Sequence, residues 1–271
     1  MHQVRQPAVA GTFYLGQRQA LSNDVRAMLD AASQDAGATS AAPKAIIVPH
    51  AGYIYSGSTA ALAYTRLSLG RKTIRRVVLL GPVHRVSVRG LALPGVDSFA
   101  TPLGNIEVDQ VAIAAITPLR QIVVSPEAHA LEHSLEVQLP FLQSVLDDFK
   151  LVPLAVGDAT PAEVAQVLEQ LWGGSETLIV ISSDLSHFLP YRTAQSVDQE
   201  TAQTILNLSG PLTHEQACGG TPINGLLLAA KRHHLRPQLL GLCSSGDTAG
   251  DKSRVVGYAS FAFMEESIDV H

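Results

Sequence analysis

The sequence predicts an α/β fold in which a mostly parallel central sheet is covered by helices on both faces. Four apolar runs of strand length carry this prediction: AIIVP at 45–49, RVVLLGP at 76–82, LVPLAVG at 151–157 and TLIVISS at 177–183. Strands that are apolar throughout need cover on both faces, which is typical of a parallel sheet between two helical layers. Each run ends in a polar turn, and helical patterns separate the runs. We therefore expect an α/β/α sandwich.

Length and composition favour one folded domain. The chain has 271 residues, of which 46% are hydrophobic and 16% are charged, and this supplies enough apolar material for a sizeable core. Because α/β proteins of this length are often one domain, we expect residues 1–271 to form a single domain. The net charge of -5 provides no basic field for phosphate groups, which disfavours nucleic-acid binding.

The cysteines and the N-terminal residues predict a cytoplasmic protein without a membrane anchor. Cys218 and Cys243 form no CxxC pair, which argues against a disulfide framework and against a structural zinc knuckle. The first residues lack the basic start and apolar core of a signal peptide, and no apolar run approaches the roughly 20 residues that cross a bilayer.

Helix signals lie before and between the strands. Residues 17–35 place apolar side chains at helical spacing. Thr160-Pro-Ala-Glu163 and Thr213-His-Glu-Gln216 each have the pattern of a capping box, which predicts that a helix starts there.

Two segments predict departures from a parallel sheet. Residues 88–109 contain short strands broken by Gly and Pro, a pattern that predicts a hairpin-like excursion at the sheet edge. The run RVVGYASFAF at 254–263 predicts a closing strand, and its alternation favours an edge or an antiparallel position.

Titratable side chains follow three of the four strands at the point where each strand ends. His50 follows the first run, His84 the second, and Asp184 and His187 the fourth. Ligands of open α/β sheets bind outside the carboxyl ends of the strands, where loops converge on a rigid support. We therefore expect these four side chains to line one cleft.

Two further candidates come from loops. Asp247 lies in CSSGDTAGD at 243–251, a stretch that by itself is more typical of an exposed turn. His133 lies at the start of EHSLEVQLPFL, at 132–142, where Glu132 and His133 could equally cap a helix.

Six motifs occur in an order and at spacings that resemble the Memo family, including its bacterial and archaeal branch, named AmmeMemoRadiSam system protein B. They are PHAGYIYSG, LLGPVHR, EHSLEVQLPFL, ISSDLSHF, CGGTPINGLL and SSGDTAGDKSRVVGYAS. With the opening PAVAGTFY, the resemblance covers about residues 5–264. It implies a fold similar to the class III, LigB-type extradiol dioxygenases, with a metal cleft in the equivalent place.

The resemblance also implies a ligand set. The family's two histidine ligands match His50 and His84. Animal members place a cysteine in the loop before the last strand, and alignment on Ser244 and Ser245 puts that position on Asp247 rather than on Cys243. Two histidines and a carboxylate suit Fe(II) in oxygen-using enzymes, whereas Cu and Zn are the alternative metals.

Roles for the remaining residues follow from this cleft. His187 would act as general base or acid, because an imidazole exchanges protons at neutral pH. Asp184 would orient His187 or approach the metal, and His133 would donate a hydrogen bond to a ligand or to substrate. Cys218 is either a thiol near the cleft or an inert buried side chain, and we favour a position near the cleft without a catalytic role.

Three functions remain open at this point. The first is an oxidoreductase of the dioxygenase type, and the second is a zinc-dependent hydrolase or lyase that uses the same cleft. The third is a non-catalytic scaffold that binds a small molecule, a peptide or a metal. The family's bacterial name further implies a radical S-adenosylmethionine enzyme and an AMMECR-type protein as partners.

Overall fold

The computed structural model of the protein describes residues 3–34 and 41–266. Its strands are β1 Val4–Arg5, β2 Ala45–Val48, β3 Arg76–Pro82, β4 Leu91–Leu93, β5 Ser98–Thr101, β6 Gly104–Glu107, β7 Ile122–Val124, β8 Lys150–Val156, β9 Thr177–Ser182, β10 His187–Leu189, β11 Arg236–Ser244 and β12 Val255–Met264. Its α-helices are α1 Arg18–Gln34, α2 Tyr53–Tyr64, α3 Gln110–Ile116, α4 Pro126–Ala130, α5 Leu139–Val145, α6 Pro161–Leu171, α7 Tyr191–Leu206 and α8 Gly220–Arg232. Short 3-10 helices occupy Thr65–Gly70, Glu136–Gln138 and Ser245–Asp247.

The main sheet has nine strands, and its centre is parallel. The strand order is β10-β12-β2-β9-β3-β8-β4-β7, and β11 pairs with β12 as well. Strands β2, β9, β3 and β8 run parallel to one another, whereas β12 runs antiparallel to β2 and β4 antiparallel to β8. The α/β class and the mostly parallel sheet are therefore confirmed.

Hydrophobic cores lie on both faces of this sheet. In β3, Val77 and Leu79 belong to one cluster of buried side chains, and Val78 and Leu80 belong to the other. The first cluster also contains residues of α1, α2 and α5, and the second contains residues of α3, α6, α7 and α8. This two-sided burial explains why the central strands are apolar at every position. No helix within residues 3–34 and 41–266 is long and apolar enough to cross a membrane.

The two irregular segments only partly follow the expectation. Residues 88–109 do form a hairpin, since β5 pairs with β6 antiparallel, but this hairpin joins β1 in a separate three-stranded sheet. Strand β12 runs antiparallel to β2, which is one of the two predicted alternatives. The edge alternative is wrong, because β2 covers one side of β12 and β11 covers the other.

The two predicted capping boxes have different outcomes. Thr160 and Glu163 form a full capping box at the start of α6, as predicted. The second prediction is wrong: Gln216 accepts a hydrogen bond from the Thr213 backbone N–H, but the residues between them form a turn, and α8 begins at Gly220. The intervening loop packs against the end of β9, where Gly219 donates to the Ser183 hydroxyl at 2.9 Å.

Candidate metal centre

The ends of three neighbouring strands bring the first site residues together. Strand β9 lies between β2 and β3 in the sheet, and all three run in the same direction. His50, His84 and Asp184 each follow the last residue of one of these strands by two positions. His50 and His84 consequently lie side by side, with ring centroids 5.3 Å apart.

His133 completes a group of three histidines. It lies between α4 and the 3-10 helix Glu136–Gln138, and its ring centroid is 5.4 Å from that of His50 and 4.7 Å from that of His84. Each histidine contributes one ring nitrogen, and these three atoms lie within 4.8 Å of one another. Three convergent imidazoles are a ligand set that zinc, iron and copper accept.

Glu132 fixes the orientation of two of the rings. Its Oε1 lies 2.9 Å from Nδ1 of His84 and 3.2 Å from Nδ1 of His133. Although burial opposes ionisation, hydrogen bonds from His133 and His84 hold the pKa of the Glu132 carboxyl well below its usual range. Because an ionised carboxylate only accepts hydrogen bonds, both Nδ1 atoms must carry protons. In the neutral form of either ring, Nε2 then carries the lone pair.

Ser182 fixes the third ring. Its hydroxyl donates to the Ser134 carbonyl at 2.6 Å and accepts from the Gln138 amide at 2.8 Å. The single hydroxyl proton is therefore committed, so the contact of 3.0 Å between Ser182 Oγ and His50 Nδ1 must be donated by the ring. His50 also presents its Nε2 as an acceptor.

Burial keeps His50 neutral. The residue is 1% exposed, and burial lowers the pKa of the His50 imidazole to about 4, against the opposing attraction of Asp184. A neutral imidazole is the form that binds a metal ion, so protons do not compete for His50 at neutral pH.

Asp247, the carboxylate assigned from the sequence, is not a member of this group. Its Oδ2 accepts from the backbone N–H and the hydroxyl of Ser244, both at 2.8 Å, and its Oδ1 accepts a short hydrogen bond from the Tyr191 hydroxyl. These contacts close the 3-10 turn Ser245–Asp247, and the side chain is exposed. The structure therefore groups His133, rather than Asp247, with His50 and His84.

Asp184 and His187 differ in their relation to the histidines. Asp184 is buried, its Oδ1 accepts from the His50 backbone N–H at 2.7 Å, and its Oδ2 lies 4.0 Å from His50 Nε2. His187 begins β10 at the edge of the sheet, where its Nδ1 donates to the Leu185 carbonyl at 2.8 Å. Asp184 thus faces the group directly, whereas the hydrogen bond of His187 is local.

The two cysteines occupy different environments. Cys218 Sγ lies 3.4 Å from His50 Nε2, and burial together with Asp184 raises the pKa of the Cys218 thiol to about 12. Cys243 Sγ instead lies 3.0 Å from the Thr59 hydroxyl. The expectation that Cys218 lies near the cleft therefore agrees with its contact to His50.

A wide groove of about 1160 Å³ opens elsewhere on the surface. Its lining includes Arg18 and Arg26 of α1 and the segment 143–150 around the end of α5. The described residues that line it include none of the three histidines. We therefore place the candidate centre at the strand ends rather than at this groove.

Sequence reasoning missed the residues that orient the rings. Glu132 directly precedes His133 and Ser182 directly precedes Ser183-Asp184, so both stand inside motifs that were already singled out. Their contacts join segments that are 48 and 132 residues apart, and no local pattern marks such pairs.

Comparisons with known proteins agree with the motifs. The family model described as Memo-like protein matches residues 5–262. A protein of Aquifex aeolicus, described as a MEMO1 family protein, is 36% identical over 276 residues, which cover 96% of this chain and 99% of that protein. A protein of Metallosphaera sedula with the same description is 33% identical over 283 residues, again with 96% and 99% coverage.

A solved structure supports the fold. The crystal structure of the uncharacterized protein JW3007 from Escherichia coli K12 matches with a TM-score of 0.50 at 16% identity, and the match covers 80% of this chain and 98% of that one. At this level of identity, the likeness concerns the fold alone. The family model and the curated relatives show that the chain belongs to the Memo family.

Proposed function

We propose that the chain is a metal-dependent oxidoreductase of the extradiol-dioxygenase type, with Fe(II) held by His50, His84 and His133. One observation carries this proposal: Nδ1 of each ring faces an acceptor, Ser182 or Glu132, so that in the neutral form of each ring Nε2 carries the lone pair that a metal ion would bind. Hydrogen bonds of this kind fix the tautomer and the orientation of metal-binding histidines.

The charges around the group fit a divalent cation. An imidazole that binds a metal ion is uncharged, whereas the Glu132 carboxylate stands behind two of the rings and the Asp184 carboxylate stands beside the third. Both carboxylates are buried, where charges interact more strongly than in water. When bound, a divalent metal supplies Lewis acidity that lowers the pKa of a substrate hydroxyl.

Asp184 and His187 are the groups that would move protons. The His50 backbone N–H holds Oδ1 of Asp184, so Oδ2 is the atom free to accept a proton on the side of the histidines. The Leu185 carbonyl only accepts, so His187 carries its proton on Nδ1 and offers Nε2 as a base. Two bases on one strand-end loop suit a substrate that must lose protons before it is oxidised.

A zinc-dependent hydrolase is the second candidate. The observation that favours it is the grouping of His133 with His50 and His84, because three histidines are also the protein ligands of catalytic zinc in carbonic anhydrase. In this function, His187 or Asp184 would carry the proton of the attacking water.

The test is an anaerobic titration of metal-free protein with Fe(II) and separately with Zn(II), with bound metal measured by elemental analysis. We expect one Fe(II) per chain and a loss of affinity of about tenfold or more in His133→Ala. Asp247→Asn is the matched control, because it keeps the side-chain shape in the turn at Ser244, and we expect its affinity to change less than about threefold. A larger loss of Fe(II) affinity in Asp247→Asn than in His133→Ala would instead identify Asp247 as the ligand.

Activity is then measured with the loaded protein. Uptake of oxygen with catechol-like substrates, dependent on Fe(II) and lost in His187→Gln, would support the oxidoreductase. Tight zinc binding with ester hydrolysis and no oxygen uptake would favour the second candidate. If the wild-type protein bound neither metal, both functions would be refuted.

A further inference from the structure

Cys218 lies against one member of the histidine group, His50. Its Sγ is 3.4 Å from His50 Nε2, the atom that the hydrogen bond to Ser182 leaves free. A nitrogen and a sulfur that bind one tetrahedral zinc-like ion at their usual bond lengths are about 3.5 Å apart. The observed separation therefore matches one edge of such a coordination shell.

The loop before α8 is shaped to hold this thiol in place. The backbone N–H of Cys218 donates to the Asp184 carbonyl at 3.3 Å, and that of Gly219 donates to the Ser183 hydroxyl at 2.9 Å. A Cβ atom at Gly219 would lie 2.6 Å from the Ser183 Cβ, closer than real Cβ atoms approach. Glycine thus permits the loop to contact the end of β9, and Cys218 is carried against His50.

We propose that the Cys218 thiolate is a ligand of the same metal ion as the three histidines. This inference rests on the proposed metal site but concerns a residue that the site as described above does not include. On binding, the S–H bond would break, its proton would leave to solvent, and a sulfur–metal bond would form. A thiolate would balance one charge of the ion and shift the preference of the site towards softer metals.

Cys243 provides a matched control within the same chain. It is also partly buried, yet its Sγ contacts the Thr59 hydroxyl rather than a histidine. A cysteine-to-serine change at either position removes one sulfur and keeps the side-chain size. Only the change at Cys218 should affect the metal site.

The experiment uses Co(II) as the probe, added without oxygen to the metal-free full chain, because thiolate ligands give cobalt a near-ultraviolet charge-transfer absorption. We expect this absorption in the wild type and in Cys243→Ser and its loss in Cys218→Ser, which should still bind cobalt with affinity lowered about tenfold or more. Circular dichroism verifies the fold of each variant, and Cys218→Ala provides a second variant at this position.

The outcomes separate the two proposals. The wild type could bind cobalt without the charge-transfer absorption, or the absorption could persist in Cys218→Ser. Either result would overturn the thiolate ligand and leave the histidine site intact. No cobalt bound by the wild type, as measured by elemental analysis, would overturn both.

Discussion

Glu132 holds His84 at two points: its Oε2 accepts from the His84 backbone N–H at 2.6 Å, and its Oε1 accepts from Nδ1 of the ring at 2.9 Å. The same Oε1 accepts from the backbone N–H of His133 at 2.9 Å. One buried carboxylate therefore fixes both the loop and the ring of His84, and links that loop to the segment that carries His133.

This relationship predicts the effect of Glu132→Gln. An amide in place of the carboxylate keeps the shape but removes the charge and points a donor at N–H groups that need an acceptor. We expect metal affinity to fall about 10- to 100-fold, the range found when a partner of a ligating histidine is lost. Competition with a chelator measures the affinity. Glu127→Gln, on the exposed side of α4, is the control, and equal affinities in the two variants would contradict the assigned role.

Ser182→Ala tests how the His50 tautomer is set. Without the hydroxyl, Nδ1 of His50 loses its acceptor, and the proton is free to occupy either ring nitrogen. We expect nitrogen NMR of metal-free protein to detect both tautomers in the variant and only the Nδ1-protonated form in the wild type. Ser144→Ala is the control, since that hydroxyl bonds within α5. One unchanged tautomer in Ser182→Ala would show that other contacts orient the ring.

The central strands could be predicted closely because their signal is local. Strand β3 covers the predicted run 76–82 from its first residue to its last, since an apolar run with polar flanks is visible in the sequence alone. The place of β12 within the sheet was not predictable. Its neighbour β2 comes from an early part of the chain, and whether a strand lies at an edge depends on such non-local pairing.

The same distinction separates the predicted from the unpredicted site residues. His50 and His84 follow parallel strands, so the topology alone places them at one edge of the sheet. The choice between Asp247 and His133 depends on loop conformation. Asp247 uses its carboxylate to close its own turn, and the cap-like pair Glu132-His133 instead faces His84. Neither arrangement has a signature in residue type or spacing.

Glu136→Gln tests how the N-terminal segment is attached beside the site. Glu136 is fully buried, pairs with Arg5 and accepts from the Tyr14 hydroxyl at 2.6 Å. Loss of the carboxylate leaves the buried guanidinium without its counter-charge, so we expect the free energy of unfolding to fall by about 3–5 kcal/mol. Urea denaturation measures it.

An exposed ion pair provides the comparison. Asp147→Asn removes one partner of the pair with Arg71, which lies at the surface, and should cost less than about 1 kcal/mol. If the free energy of unfolding fell as little in Glu136→Gln, the buried pair would contribute no more to stability than a surface pair does.

His129 predicts how stability depends on pH. The residue is 2% exposed, its Nε2 lies 2.8 Å from the Ala92 carbonyl, and burial lowers the pKa of its imidazole to about 4. In the unfolded chain the group takes up a proton near its ordinary pKa of about 6.5. Between these values the unfolded state binds more protons than the folded state, so stability must fall as the pH falls.

The size of this effect can be checked with His129→Gln, whose amide can still donate to the Ala92 carbonyl. From pH about 7 to pH about 5, His129 should account for about 2 kcal/mol of lost unfolding free energy. Both proteins are compared without metal, so that His50 contributes equally to each. Over the same pH interval, the unfolding free energy of the variant should then fall by about 2 kcal/mol less than that of the wild type. Urea denaturation at the two pH values gives the comparison. Equal losses in variant and wild type would mean that His129 is protonated in the folded protein as readily as in the unfolded chain.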